Sequence, residues 1–175
     1  MKYIKKFEVK KFGEWGYETL EEQLISACQE RREWQSHYIK IVKDLIAYDI
    51  NINYKNKNGC TALIYAVFGG CIDICKYLID HGADVNIQNN YGYTAIIYAA
   101  QNKKWNTEHK FLPILDVINL LIESGADWNI KKDGKDFLYI LGPVMAQEII
   151  NRYPIEYKKY LEKKEMMDNV EKYNL

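Results

Sequence analysis

One segment of this chain is written twice, and that repetition limits the possible folds more than any other feature. Asn58 to Gly70 reads NGCTALIYAVFGG and Tyr91 to Asn102 reads YGYTAIIYAAQN, with Gly59 and Gly92 33 residues apart. A period in this range marks a solenoid of stacked units. Each copy is followed by a second matching phrase, CKYLIDHGADVNIQ from Cys75 and INLLIESGADWNIK from Ile118. In the same register, KDLIAYDININYKNKNG (Lys43 to Gly59) aligns without gaps on KYLIDHGADVNIQNNYG (Lys76 to Gly92), and a degraded copy starts at KKDGKDFLYI. Four units are therefore expected.

Each unit reads as helix, short turn, helix and extended finger. In the second unit Thr61 is a helix N-cap candidate, Leu63, Ala66 and Val67 recur at helical spacing, and Gly69-Gly70 ends the helix. Ile72, Ile74, Cys75, Leu78 and Ile79 give the second helix an apolar face, and Gly82 stands where a left-handed C′ residue is needed. Gly125 repeats this, whereas the first unit has Asp49, which tolerates the conformation at a cost of about 1 kcal/mol. Ala62, Ala66, Ala95, Ala99 and Ala100 let neighbouring pairs approach closely. No pair can bury its apolar face alone, so stability must come from contacts between neighbours, and the end units need polar outer faces. Thr19 with Glu22 forms a capping-box pattern at the first unit.

The phrases GCTALIYA (59 to 66) and GYTAIIYA (92 to 99) resemble the G-x-T-P-L-H-x-A opening of the ankyrin-repeat family, with Ala62 and Ala95 in place of its Pro and Ile64 and Ile97 in place of its His. The G-A-D-x-N phrase is intact at Gly82 to Asn86 and Gly125 to Asn129. The resemblance implies an all-α ankyrin-repeat solenoid of stacked helix-turn-helix pairs joined by β-hairpin-like fingers. The expected organisation is an N-terminal extension at 1–17, repeats at about 18–55, 56–88, 89–131 and 132–154, and a C-terminal capping helix and tail at 155–175.

Ankyrin domains bind proteins through a concave surface of finger tips and first helices. Carried over by position, that implies Lys55, Lys57, Asn58, Cys60 and Phe68 in the second unit. The third contributes Gln88, Asn90, Tyr91, Tyr93, Gln101 and Asn102, and the fourth Lys132, Asp133 and Lys135. Phe68, Tyr91 and Tyr93 have no expected core duty and are the first candidates for binding energy. The lysines would steer an acidic partner. Cys60 takes a position that is often variable and exposed in this family. The spacing Leu78…Asp84-Val85-Asn86, repeated at Leu121…Asp127-Trp128-Asn129, resembles the pattern of asparagine hydroxylation in ankyrin domains. The simpler expectation is that Asn86 and Asn129 hydrogen-bond their own hairpins.

The first and third units lengthen the turn between their helices with QERREWQSHY and QNKKWNTEHKFLP, where Pro113 marks a helix restart. Trp34 and His37 in one insertion and Trp105 and His109 in the other are a second candidate recognition patch. The plainer reading is that each Trp anchors its own loop. Cys71, Cys75 and His81 suggest a metal site by spacing, but small buried thiols are commonly core residues, so no metal or cofactor is expected. The chain shows no catalytic triad, phosphate loop or paired-carboxylate pattern, so a non-enzymatic binding module is expected, as an adaptor, an inhibitor or an immunity protein neutralising a toxin. The 24 basic and 24 acidic residues cancel, which argues against general attraction to nucleic acid or membrane. Four scattered cysteines and the lack of an apolar leader suggest a cytoplasmic monomer with free thiols. Abundant Lys, Asn, Ile and Tyr with only three Arg reflect AT-rich codons of the kind used by large DNA viruses and host-associated microbes; if the source is one of these, a host protein in the host-cell cytosol is the expected partner.

Overall fold

A computed structural model describes residues 19–29, 35–101 and 111–173, with backbone alone at 35–37, 111–114 and 169–173. Nine helices lie among these residues: α1 (Leu20–Gln29), α2 (Gln35–Ile46), α3 (Ala62–Gly69), α4 (Ile72–Asp80), α5 (Ala95–Gln101), α6 (Phe111–Glu123), α7 (Phe137–Leu141), α8 (Pro143–Arg152) and α9 (Pro154–Tyr173). Their ends follow local chemistry. Thr61 accepts the Ile64 amide to start α3, Thr94 accepts Ile97 N–H to start α5, and Thr19 accepts Glu22 N–H at α1. Gly70 closes α3 in the left-handed region at φ 69°, and Asp49 adopts φ 55° where later units have glycine.

The helices stack in two rows. α1, α3, α5 and α7 pack in succession as an inner row, and α2, α4 and α6 form an outer row behind them. Ala62, Ala66, Ala95 and Ala99 are buried along the inner row, where their small side chains permit the close approach. Between the rows runs a single core that includes Leu24, Leu63, Ile74, Leu78, Ile96, Ile118 and Leu121. Part of each insertion is helical: α2 and α6 have 12 and 13 residues against nine in α4. Residues 35–38 and 111–113 therefore extend the outer helices rather than lengthening the turn, and Pro113 lies inside the first turn of α6.

Neighbouring units are joined by a ladder of asparagine amides. Asn53 Nδ2 donates to the Gly82 carbonyl at 3.1 Å while its Oδ1 accepts Asp84 N–H at 2.9 Å. One unit later, Asn86 Nδ2 donates to Gly125 O at 3.1 Å and Oδ1 accepts Asp127 N–H at 2.7 Å. This corrects the expectation that Asn86 serves its own hairpin. Its own turn is held instead by Asp84, whose carboxylate accepts Asn86 N–H at 2.8 Å. Asn129 does fold back, donating from Nδ2 to Asp127 Oδ1 at 3.3 Å.

The far end is closed by α9. Trp128 lies 5.8 Å from Phe137 and 6.2 Å from Tyr160 between ring centroids. Asp136 caps α7 by accepting Tyr139 N–H at 2.9 Å and also accepts the Tyr160 hydroxyl at 2.8 Å and Lys164 Nζ at 3.2 Å. Burial raises the pKa of this carboxyl, but the Tyr139 amide, Tyr160 and Lys164 together outweigh it and hold the pKa below the ordinary carboxylate value. Lys163 pairs with Asp127 beside it.

Candidate functional site

The finger tips and the inner-row helices form the surface on which most candidate residues fall, and the two middle fingers share one design. Asn56 Oδ1 accepts the amides of Asn58 and Cys60 at 3.0 Å, and Asn56 N–H donates to Cys60 O at 3.1 Å. Asn89 does the same for Tyr91 and Tyr93, at 2.9 and 3.0 Å. Each asparagine also donates to a tyrosine hydroxyl on the following inner helix, Asn56 to Tyr65 at 3.2 Å and Asn89 to Tyr98 at 3.4 Å. The finger is thus tied to the helix beneath it. The fourth finger is a true two-residue hairpin. Lys132 and Lys135 exchange both backbone hydrogen bonds across Asp133 (φ 51°) and Gly134 (φ 73°), the positive φ pair of a type I′ turn.

The fingers also bond to one another. Asn90 N–H donates to Asn58 O and Asn90 Nδ2 to Lys57 O, both at 3.0 Å. This contact fixes the size of Gly59, because a Cβ there would stand 2.3 Å from Asn90 Oδ1 and 2.7 Å from its backbone nitrogen. At Gly92, the equivalent position, the nearest atom would be 3.8 Å away. Both glycines have positive φ, 73° and 79°. Gly92→Ala is therefore expected to cost about 1 kcal/mol for conformation alone, and Gly59→Ala about 1–2 kcal/mol more, because the fingers must separate. Urea denaturation of the two variants measures this difference, and equal losses would mean that the finger contact does not matter.

On this frame Phe68 is 50% exposed and Tyr91 61% exposed. Phe68 meets Tyr98 edge to face at 6.3 Å, and Tyr98 lies 4.5 Å from Tyr93. The three rings form a strip across the second and third units. Tyr98, which sequence reasoning passed over, is its centre, and burial raises its hydroxyl pKa. Three expectations need correction. Cys60 is buried, because the next finger covers it and Asn89 Nδ2 donates to its sulfur at 3.2 Å. Tyr93 is half-buried, with Lys132 Nζ 4.8 Å above its ring, so it has a packing duty. Lys132 is itself mostly covered, its side chain 12% exposed and paired with exposed Asp133.

Lys55, Lys57, Asn58, Gln88, Asn90, Gln101 and Lys135 are exposed. Lys135 Nζ lies 5.2 Å from the ring of exposed Tyr139, and Gln88 Nε2 donates to Gly92 O at 3.0 Å. Asn102, Trp34, Trp105 and His109 lie outside the described residues, and so does the His37 side chain, although its backbone belongs to α2. Cys71 and Cys75 are buried free thiols, and His81 turns onto its own helix with Nδ1 2.8 Å from Tyr77 O. Among the described residues, no group of three or more His, Cys, Asp or Glu is placed to hold a metal ion. No helix among them is long and apolar enough to cross a membrane.

A family model described as ankyrin repeats, in three copies, matches residues 24–132, well over half of the chain. The match runs from α1 to the start of the fourth finger. Comparison with curated proteins returns no match.

Proposed function

The chain belongs to the ankyrin-repeat family, whose repeats are generally protein–protein interaction modules, and from that premise we propose that it is a non-enzymatic adaptor or inhibitor gripping one protein partner through its fingers and inner helices. The observation that carries this reading is the strip of Phe68, Tyr98 and Tyr93 with Tyr91 standing beside it. Exposed aromatic rings on a rigid frame provide contact area at little entropic cost. The finger hydrogen bonds supply the rigidity, because each tip is held to its own helix and two tips are held to each other.

The test separates binding from folding. Phe68 and Tyr91 are the residues to change, since Tyr93 also packs against Tyr98. Phe68→Ala with Tyr91→Ala is expected to weaken a partner captured with the wild-type chain by about 2 kcal/mol, roughly thirtyfold, while the melting temperature stays within a degree or two. Calorimetric titration and thermal melts supply the two readouts. Unchanged affinity would mean that the partner uses another surface.

A further inference from the structure

We infer that the partner presents an extended segment with acidic residues at both ends of an apolar or aromatic centre. This deepens the reading above and rests on it. The chain is neutral overall, yet its charge is sorted by layer. In the second finger, residues 55–60 carry Lys55 and Lys57 and no acid; in the third, residues 88–93 carry no charge at all. In the fourth, residues 131–135 carry Lys131, Lys132 and Lys135 against Asp133. Because Asp133 is engaged by Lys132, the cations left to face a partner there are the exposed Lys131 and Lys135. The inner helices α3, α5 and α7 contain no charged residue.

In the second and third units the outer helices have the opposite sign, whereas α2 of the first unit carries Lys40 and Lys43 against Asp44. Residues 71–84 and 115–127 carry Asp73, Asp80, Asp84, Asp116 and Glu123 against Lys76 alone, with Asp127 paired to Lys163. A neutral molecule polarised in this way attracts acidic groups to its fingers and repels them from its back. At the first unit the inner helix carries Glu21 and Glu22, so the bound segment spans the second to fourth units and stops short of the first.

The pattern along the fingers is a lysine pair, an uncharged aromatic stretch and a lysine pair. Neighbouring helices pack 8–10 Å apart, so the pairs stand about 16–20 Å apart over two repeats. An extended chain advances about 3.3 Å per residue, which puts the matching carboxylates about five or six residues apart. A nucleic-acid strand fits less well, because its phosphates recur at every nucleotide and the middle finger offers no cation to meet them.

The experiment is selection of a displayed random peptide library on the immobilised full chain, followed by titration of one synthesised winner. Enriched peptides are expected to carry Asp or Glu on both sides of an aromatic or aliphatic centre at that spacing. Their affinity should fall at least about tenfold in a Lys55→Glu, Lys57→Glu, Lys131→Glu, Lys135→Glu variant whose circular dichroism is unchanged. Winners with no acidic excess that still require Phe68 and Tyr91 would overturn the charge assignment and leave the binding face standing. Winners indifferent to Phe68→Ala and Tyr91→Ala, or no enrichment, would overturn both. A fluorescent single-stranded oligonucleotide that binds as tightly as the winning peptide, and is lost in the lysine-reversed variant, would replace the peptide with a nucleic acid.

Discussion

Replacing Trp128 with alanine is expected to cost about 3–5 kcal/mol and to loosen the whole C-terminal end of the stack. Trp128 is 3% exposed and touches both Phe137 and Tyr160, so one indole joins the third unit to α7 and to α9. Helix α7 has only five residues, too few to persist without tertiary contacts. Tyr160, Lys164 and Asp136 form the polar side of the same joint, but their hydrogen bonds depend on α9 being seated. Solenoid stability is a sum of neighbour contacts, so the loss should be local. Urea denaturation followed by circular dichroism should change from one transition to two, the earlier one with a small m-value. A single transition within about 1 kcal/mol of wild type would show that the indole does not organise this end.

Asn89→Ala should cost about 2–4 kcal/mol, although the side chain lies on a finger. Asn89 is buried, and its oxygen satisfies two backbone amides, Tyr91 and Tyr93. Its nitrogen reaches Cys60 in the preceding finger and Tyr98 on the helix below. Alanine leaves both amides without their acceptor and separates the finger from its neighbours. The adjacent Asn90→Ala, which removes one exposed bond to Lys57, should cost less than about 1 kcal/mol. Hydrogen exchange checks the mechanism, because the Tyr91 and Tyr93 amides should lose protection in the first variant and keep it in the second. Equal exchange in the two variants would sink it.

Much of this architecture was readable from the chain alone because its determinants are local. Thr61 and Thr94 cap helices a few residues away, and Gly70, Gly82 and Gly125 occupy positions whose φ only glycine adopts at little cost. Asp49 was legible in the same way, by register against glycine. What was not legible lies between units. The G-A-D-x-N phrase announces a turn, but nothing in it shows that Asn86 bonds Gly125 and Asp127 of the following unit. Cys60 reads as a surface position until Asn89 from the next finger closes over it. Lys132 reads as a free cation until Tyr93 is seen beneath it. The Asp-Gly pair at 133–134 is by contrast a local hairpin signal, and both residues take the positive φ of its turn.

The asparagine ladder also has a direction, which sets how such a chain can grow. Asn53 and Asn86 each reach forward to the Gly and Asp of the next unit, but Asn129 turns back onto Asp127. Tandem duplication of the segment from Asn56 to Gln88 would arrive with its own Gly, Asp and Asn, and every rung would find its counterpart. A unit added beyond Asn129 would meet a closed rung and have to displace α9. The molecule can therefore lengthen by copying its middle, gaining another finger and inner helix each time, while both ends stay as they are.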